Sequence, residues 1–421
     1  MISYIIPTRN RPEMLALTMG VLGRLSAEDH AAFGGGEVIV IDNASRFPPV
    51  LPDRLANGLD VRVALRSTND GAAARNAGAR QARGDWLVML DDDSHPMDTG
   101  FLASLADAPE GVAAIGAEIF LPRGRGADAA GENAREAGGL PEVFIGCGVA
   151  VRRAVFLDDQ LGGPIFNGAG YDPGFHYYAE EYDLAARMIL SGYRVEHRRE
   201  FPVLHHKAPG QRDMDTILRR LVRNNAWVEQ RYAPEPVRRA AIQRVVSRYR
   251  VIAEKEDALK GYHAGLSDLD DSLDAQPRAE MTTEQYDRFT GLTAARSFLL
   301  PRLSEVGARR IAIVEPGKND WVVRRVVEES GAGVVTEAGD ADTIVIGTMS
   351  PGPMLDAAER WSRQDKPVLS AWELGPVRAD RRVESGEPKQ FQRLRLPLQL
   401  NGAEGLGLQA GNARDRLRHS A

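Results

Sequence analysis

The sequence contains very little cysteine, since Cys147 is the only one among 421 residues. A single cysteine excludes an intrachain disulfide and a zinc site built from several thiolates. No stretch approaches the roughly 18 consecutive apolar residues that a membrane-spanning helix needs. The first residues also lack the basic leader and apolar region of a signal peptide. We therefore expect a cytoplasmic protein whose contact with membranes would be peripheral at most.

An excess of basic charge is also absent. Lysine and arginine number 53 against 59 acidic residues, the net charge is -6, and no basic stripe stands out. This balance gives no argument for a nucleic-acid partner. The chain has 43% hydrophobic and 27% charged residues, which is typical of a globular protein, and its length predicts more than one domain.

The most informative stretch is a short apolar run that leads directly into three carboxylates. Residues 86–90 are all apolar, which favours a strand buried on both faces, and Asp91, Asp92 and Asp93 follow. Ligands of open α/β sheets bind at the carboxyl ends of strands, and adjacent carboxylates repel one another unless a cation neutralises them. The sequence therefore predicts a site for Mn²⁺ or Mg²⁺, with a solvated acidic turn as the other interpretation.

Strand and helix patterns alternate before this acidic stretch. Residues 2–6 and 37–41 are typical of buried strands. Right-handed crossovers between parallel strands would bring the ends of both strands to one crevice. The side chains that follow these strands are Pro7, Thr8, Arg9 and Asp42. Asp42 could equally form a turn or a helix cap.

A third strand over residues 61–65 precedes an alanine-rich helix over residues 69–82. Small residues let this helix pack closely on the sheet, and its amino end, near Asn69 and Gly71, offers free N–H groups to an anion. Arg75 adds a fixed positive charge. We expect this helix to contribute to the same crevice.

These motifs, in this order, resemble those of the family 2 glycosyltransferases, which have the GT-A fold. The resemblance covers residues 1 to about 210 and rests on four motifs: Pro7-Thr8-Arg9-Asn10-Arg11, Val40-Ile41-Asp42-Asn43, Asn69-x-Gly71-x-x-x-Arg75-Asn76-x-Gly78 and Leu90-Asp91-Asp92-Asp93. It implies a Rossmann-like mixed sheet that binds a nucleotide-diphosphate sugar carrying UDP, GDP or dTDP.

The resemblance also implies roles for individual residues. Asp42 would lie near the nucleobase, Asp91 or Asp92 at the ribose or the metal, and Asp93 would be a metal ligand. The remaining donor-binding residues would be Pro7, Thr8, Arg9, Asn69, Gly71 and Arg75.

A second group of acids opens a later helix. Acids in a first helical turn are favoured by the helix dipole, which can account for at least one of Glu180, Glu181 and Asp183. These acids resemble the family's Glu-Asp-x-Asp-Leu motif, in which the second acid is the general base of inverting members. This chain has Glu181 where aspartate is commoner. A carboxylate at this position could deprotonate an acceptor hydroxyl.

Two histidines follow a strand at the end of the resembling region. A histidine in such a place is more often structural than a metal ligand. Imidazole does bind Mn²⁺, however, and related family members place a histidine here as a third metal ligand. We prefer His205 over His206 for this role. Cys147 is expected to be a small buried hydrophobic residue.

The second half of the chain has a different character. Residues 211–305 are expected to be helical, with helices over 214–232, 237–259 and part of 280–300. This segment could cover the acceptor side of the site, form the interface of a homo-oligomer, or only pack against the rest of the protein. Residues 306–378 alternate strands and helices, as in a small parallel α/β domain. Its first turn has one glycine where a dinucleotide fingerprint has three, which favours a structural or interaction role. Residues 379–421 are expected to form a C-terminal extension.

The sequence as a whole predicts a metal-dependent, inverting glycosyltransferase whose acceptor it does not identify. A nucleotidyltransferase is the alternative enzyme, but it would be expected to have a glycine-rich loop after the first strand, where this chain has none. A sugar-nucleotide-binding scaffold without catalytic activity is the third interpretation.

Overall fold

The computed structural model describes residues 1–122, 134–166, 168–207 and 213–375. The predicted extension over residues 379–421 lies outside these ranges. Residues up to Gly375 belong to one compact unit. The predicted division of the chain at about residues 210, 305 and 378 stays a prediction.

Strands and helices alternate through most of the described chain. The strands are β1 (Ile2–Thr8), β2 (Gly36–Asn43), β3 (Asp60–Arg66), β4 (Trp86–Leu90), β5 (Ser94–Pro96), β6 (Val112–Phe120), β7 (Gly148–Arg152), β8 (Arg194–His205), β9 (Arg310–Val314), β10 (Gly333–Val335), β11 (Thr343–Ile346) and β12 (Val368–Leu369). The α-helices are α1 (Pro12–Leu22), α2 (Ala27–Ala32), α3 (Ala74–Gln81), α4 (Phe101–Ala106), α5 (Arg153–Phe156), α6 (Glu180–Leu190), α7 (Met214–Tyr232), α8 (Glu235–Lys255), α9 (Leu259–Ser272), α10 (Thr283–Thr290), α11 (Leu292–Glu305), α12 (Asp320–Glu329) and α13 (Pro351–Trp361).

The first eight strands form one mixed sheet in the order β3-β2-β1-β4-β7-β6-β8-β5. β1, β2, β3 and β4 are parallel to one another, whereas β7 is antiparallel to both β4 and β6. Because β1, β2 and β4 are parallel, their carboxyl ends meet at one edge. Thr8 lies opposite Asp42 in the register of β1 and β2, so the predicted crevice is formed.

Alternate residues of β1 pack on opposite faces of this sheet. Tyr4 and Ile6 belong to a core with α1 and α4, whereas Ile5 belongs to a core with α3 and α6. The second core is continuous through α7, α10 and α11 to β9, β11 and β12. The helical segment therefore connects the two sheets through one hydrophobic cluster.

The last four strands form a parallel sheet in the order β10-β9-β11-β12. This arrangement confirms the predicted fold class: a Rossmann-like mixed sheet, a helical segment and a small parallel α/β region. None of the helices in the described ranges is both long and apolar enough to cross a membrane.

Candidate active site

A cleft of about 880 Å³ opens at the carboxyl edge of the large sheet. We call it the acidic cleft. It brings together predicted site residues from the loop after β1, from α3, from the end of β4, from the start of α6 and from the end of β8. The predicted residues that line it are Arg9, Arg75, Asp91, Asp93, Glu180, Glu181 and His205.

The three consecutive aspartates have different surroundings. Asp91 and Asp93 line the acidic cleft, whereas Asp92 does not. Asp92 is buried and accepts hydrogen bonds from the Thr8 hydroxyl at 2.8 Å and from Nη1 of Arg11 at 2.6 Å. Burial raises the pKa of Asp92 to about 6, although Arg11 and Thr8 oppose this shift. Asp92 therefore holds the loop after β1, and the flanking aspartates face the ligand space.

Two arginines balance the charge of the aspartates that face the cleft. Arg11 donates to Asp93 at 2.5 Å in addition to Asp92. Arg75, which is 3% exposed, pairs with Asp91 and donates to the carbonyl of Leu90 at 3.0 Å. The mutual repulsion expected from the sequence is therefore relieved in part by the protein's own cations.

His205 connects Asp93 with a second acid. Its Nε2 lies 3.4 Å from Oδ1 of Asp93, and its Nδ1 lies 3.0 Å from Oε2 of Glu136. Burial disfavours the imidazolium, but contacts with Asp93, Cys147 and Glu136 raise the pKa of His205 to about 12. Burial also acts against ionised Asp93, yet His205 and Arg11 hold the pKa of Asp93 well below its usual range.

The neighbouring histidine points elsewhere. Nε2 of His206 lies 3.1 Å from Nε2 of His95, and His206 does not line the acidic cleft. Its backbone N–H donates to the carbonyl of Asp93 at 2.8 Å. His206 thus supports the backbone of the acidic stretch, and His205 presents its imidazole to the cleft.

One group of side chains in the described residues could hold a metal ion. Ligand atoms of Asp91, Cys147 and His205 lie within 4.8 Å of one another, and Asp93 adjoins this group through His205. Carboxylate oxygens and a neutral imidazole are a donor set that fits Mn²⁺, and a bound cation would displace the proton that His205 carries beside Asp93 and Glu136. Burial raises the pKa of the Cys147 thiol to about 11, so Cys147 would remain a neutral neighbour of hard ligands. The donor set as a whole fits a divalent cation.

The other residues predicted to bind the sugar donor lie in or beside the loops after β1 and β2. The carboxylate of Asp42 is buried and accepts the N–H of Ser45 at 3.3 Å, so it does form the turn that the sequence allowed. Arg9 is exposed, and its Nε lies 3.5 Å from the carbonyl of Ala44. Pro7 and Thr8 are buried at the end of β1, so neither side chain is open to the cleft.

Gly71 lies where two loops approach closely. Its φ is +62°, and a Cβ atom there would lie 2.1 Å from the carbonyl oxygen of His176. The side chain of Asn69 accepts the N–H of Gly71 at 3.2 Å, and Asn43 donates to its carbonyl at 3.1 Å. Only glycine fits this position, so Gly71 shapes the loop before α3.

Glu180 and Glu181 open α6 at the wall of the acidic cleft. Burial raises the pKa of both carboxyls, and the proximity of Glu181 raises that of Glu180 further. The backbone N–H groups at the start of α6 and the ammonium of Lys318 oppose the shift at Glu181. A carboxylate whose pKa is raised toward neutrality suits general-base chemistry.

Asp183 is fully buried behind these glutamates and does not line the cleft. It accepts hydrogen bonds from Arg231 at 2.8 Å, from Arg187 at 3.0 Å and from the hydroxyl of Tyr232 at 2.6 Å. Despite burial, the two arginines hold the pKa of Asp183 below its usual range. Asp183 therefore anchors α6 to α7.

Sequence reasoning missed several residues of the cleft. Glu136 lies in a stretch without periodicity, and Arg11 was noted only as part of a turn motif. Cys147 is buried as expected, but its Sγ also lies 3.6 Å from Nδ1 of His205. Gly146 and Gly148 flank Cys147 in the sequence and allow close approach of the backbone there.

Comparison with known proteins bears on the first part of the chain. Residues 3–116 match the sequence model described as Glycosyl transferase family 2. An uncharacterized glycosyltransferase of Haemophilus influenzae is 38% identical over 94 residues, which are 22% of this chain and 29% of that protein. A hyaluronan synthase of Pasteurella multocida is 35% identical over 99 residues, 23% of this chain and 10% of that protein.

These matches confirm, over residues 3–116, the resemblance to family 2 glycosyltransferases predicted from the sequence. The chain spans less than a third of the length of these two relatives. Among solved structures, residues 1–349 of S. aureus TarS in complex with UDP-GlcNAc are similar at 15% identity, covering 79% of this chain and 92% of that one. The TM-score of 0.41 is too low to support an argument.

Proposed function

We propose that the protein is a metal-dependent, inverting glycosyltransferase that moves a sugar from a nucleotide-diphosphate sugar to an acceptor hydroxyl. The observation that carries this proposal is that Asp91, Asp93, His205 and Glu181 line a single cleft at the carboxyl edge of the large sheet. The family match over residues 3–116 supports it independently. A cytoplasmic setting and a homo-oligomer formed through the C-terminal half stay predictions from the sequence.

In this proposal the nucleotide lies along the loops that follow β1 and β2. Arg9 and Asp42 contact the nucleoside, and Arg75, held by Asp91, lies close to the diphosphate. Asp91, Asp93 and His205 would hold Mn²⁺ or Mg²⁺. When bound, a divalent cation supplies charge that stabilises the departing diphosphate.

The proposed general base is Glu181, as the sequence suggested. Its carboxylate accepts the proton of the acceptor hydroxyl while the hydroxyl oxygen forms a bond to the anomeric carbon. The bond between that carbon and the diphosphate oxygen breaks, and the electron pair leaves with the nucleotide. Attack from the opposite face inverts the anomeric configuration. Glu180, whose pKa burial raises, remains beside the base as a positioning residue.

The test is to follow UDP-, GDP- and dTDP-linked sugars by proton NMR with the protein and Mn²⁺. We expect one donor to be consumed in a Mn²⁺-dependent manner, with an initial product of inverted anomeric configuration. A product of retained configuration would exclude the inverting mechanism. Mn²⁺-dependent binding without any consumption, even with a broad set of acceptors, would instead favour the non-catalytic scaffold.

A further inference from the structure

Glu181 lines a second cavity in addition to the acidic cleft. This inner cavity has a volume of about 380 Å³, and Tyr178 and Ala137 also line both spaces. The two spaces are therefore neighbours that share a wall at the start of α6. The rest of the inner cavity is formed by α7, α8, α13 and the loops that follow β9 and β11.

The position of the inner cavity follows from the topology of the small sheet. β9 and β11 are parallel neighbours, but the chain continues from β9 to β10 on one side and from β11 to β12 on the other. The loops after β9 and β11 therefore diverge, which creates the crevice where open α/β sheets bind ligands. Residues 315–318 and residues Thr348 and Ser350, from these two loops, line the cavity.

The two loops are tightly packed against each other. A Cβ atom at Gly317 would lie 2.7 Å from the hydroxyl oxygen of Thr348. The N–H of Met349 donates to the carbonyl of Lys318 at 2.9 Å. The backbone of Lys318 is thus fixed before any ligand arrives, which lowers the entropic cost of binding.

Two basic side chains of the inner cavity lack a hydrogen-bonded acidic partner among the described residues. Glu315 and Arg360 pair with each other at 3.2 Å. The side chains of Lys318 and Arg248 form no hydrogen bond or ion pair within the described part of the chain, and Nζ of Lys318 lies 3.6 Å from the ring centre of Tyr182. Glu181 is the remaining acid of the lining. Burial and the neighbouring Arg248 lower the pKa of Lys318. An anionic group bound between Lys318 and Arg248 would favour the protonated amine and could pair with both side chains.

An aromatic space adjoins the inner cavity. This aromatic cavity has a volume of about 500 Å³, and its lining includes Tyr286, Phe289 and Trp321. It shares with the inner cavity the residues Tyr182, Asn225, Arg248, Tyr249, Gly317 and Lys318. A ligand anchored on Lys318 and Arg248 could therefore extend along aromatic side chains, which suits the apolar faces of sugar rings.

We propose that the inner cavity binds the acceptor, and that the acceptor carries a phosphate or carboxylate group held by Lys318 and Arg248, with its hydroxyl directed toward Glu181. This inference rests on the proposed function and names the class of its second substrate. It also assigns the small α/β region a substrate-binding role, where the sequence favoured a structural or interaction role.

The test uses the full-length protein and three probes: glucose 6-phosphate, glucuronate and neutral glucose. Isothermal titration should detect binding of at least one charged probe and none or much weaker binding of glucose. Which charged probe binds decides between phosphate and carboxylate. Arg248→Met and Lys318→Met should each weaken that binding about 10-fold or more, as expected for the loss of a charged hydrogen bond.

Arg250→Met is the matched control, because Arg250 lies on the same helix, is exposed and pairs with Glu254. It should leave probe binding unchanged. Arg248→Lys, which keeps the charge, should restore part of the affinity if the Met variant fails to fold. Equal binding of charged and neutral probes, or an equal effect of Arg250→Met and Arg248→Met, would overturn the inference.

Mn²⁺-dependent donor binding, measured in the same samples, separates this inference from the proposed function. Donor binding without selective binding of a charged probe would overturn the acceptor assignment alone. Absence of donor binding would overturn the proposed function and with it the acceptor assignment.

Discussion

Nε2 of His205 lies 3.4 Å from Oδ1 of Asp93. The two residues meet because β8 pairs with β5, which places His205 opposite Ser94, the residue after Asp93. The hydrogen bond from the backbone of His206 to Asp93 fixes the same register. Of the two neighbouring histidines, only His205 therefore presents its imidazole to the acidic cleft.

The register predicts unequal effects for the two histidines. Loss of a residue that supports a metal ligand typically weakens metal binding by roughly 10- to 100-fold. His205→Ala removes a proposed ligand itself, so it should weaken Mn²⁺-dependent donor binding by at least this factor. His206→Ala should have a smaller effect, since its backbone contact is retained and its ring contacts His95. Titration of Mn²⁺ against donor affinity measures both. A larger effect for His206→Ala would mean that His206, and not His205, is the metal ligand.

Asp93 and Asp92 should also differ. Asp93→Asn removes a carboxylate that lines the cleft and pairs with Arg11 and His205, so metal-dependent donor affinity and the free energy of unfolding should both fall. Asp92→Asn weakens buried hydrogen bonds to Thr8 and Arg11 but also removes a carboxylate whose pKa burial raises to about 6. It should therefore leave donor affinity nearly unchanged and lower the free energy of unfolding less than Asp93→Asn does. Donor titration and urea unfolding on both variants check this. The reverse pattern would mean that Asp92 is the ligand.

Glu181→Gln keeps the size of the proposed base but removes its basicity. Sugar transfer should fall by roughly 10²–10⁴-fold while donor affinity stays nearly unchanged. Steady-state rates and donor titrations on the same preparation measure the two quantities. Glu28→Gln, on the exposed face of α2, is the control. If Glu181→Gln is fully active and Glu180→Gln is inactive, the base is the preceding residue.

Asp183 is predicted to contribute stability rather than basicity. Asp183→Asn leaves Arg187 and Arg231 without their shared carboxylate, which should lower the free energy of unfolding by about 3 kcal/mol at pH 7. Because the pKa of Asp183 is lowered in the folded state, its contribution is present above the unfolded pKa of about 3.9 and is lost as pH falls through the folded value. Urea unfolding of both proteins at pH 7 and pH 3 should show the difference shrinking on acidification.

The first half of the fold could be predicted because its strands are short, apolar and followed directly by functional side chains. Residues 86–90 of β4 are buried along their whole length, and the acids after them lie at the expected edge. The roles within the acidic triplet could not be predicted. They depend on Arg11 and Thr8, which meet Asp92 only after β1 and β4 have paired.

The helical segment shows why the rest was harder. Residues 280–300, predicted to contain one helix, hold α10 and most of α11, because Gly291 between them has a φ of +88°. Helix α9 was not predicted, since glycines disfavour helices. A Cβ atom at Gly261 would lie 2.0 Å from the carbonyl oxygen of Asp215, and one at Gly265 would lie 2.4 Å from Val222. These glycines let α9 pack closely on α7, a requirement that local sequence does not reveal.

The central claim is that the acidic cleft binds a nucleotide-diphosphate sugar through a divalent cation. Isothermal titration of UDP-, GDP- and dTDP-linked sugars, with Mn²⁺ and with EDTA, tests it most directly. We predict that one donor binds at least 10-fold more tightly with Mn²⁺ than with EDTA. The double substitution Asp91→Asn and Asp93→Asn should remove this difference. The control Asp53→Asn, in an exposed loop, should retain it. Donor affinity that is the same with Mn²⁺ and EDTA, or that survives the double substitution unchanged, would contradict the account.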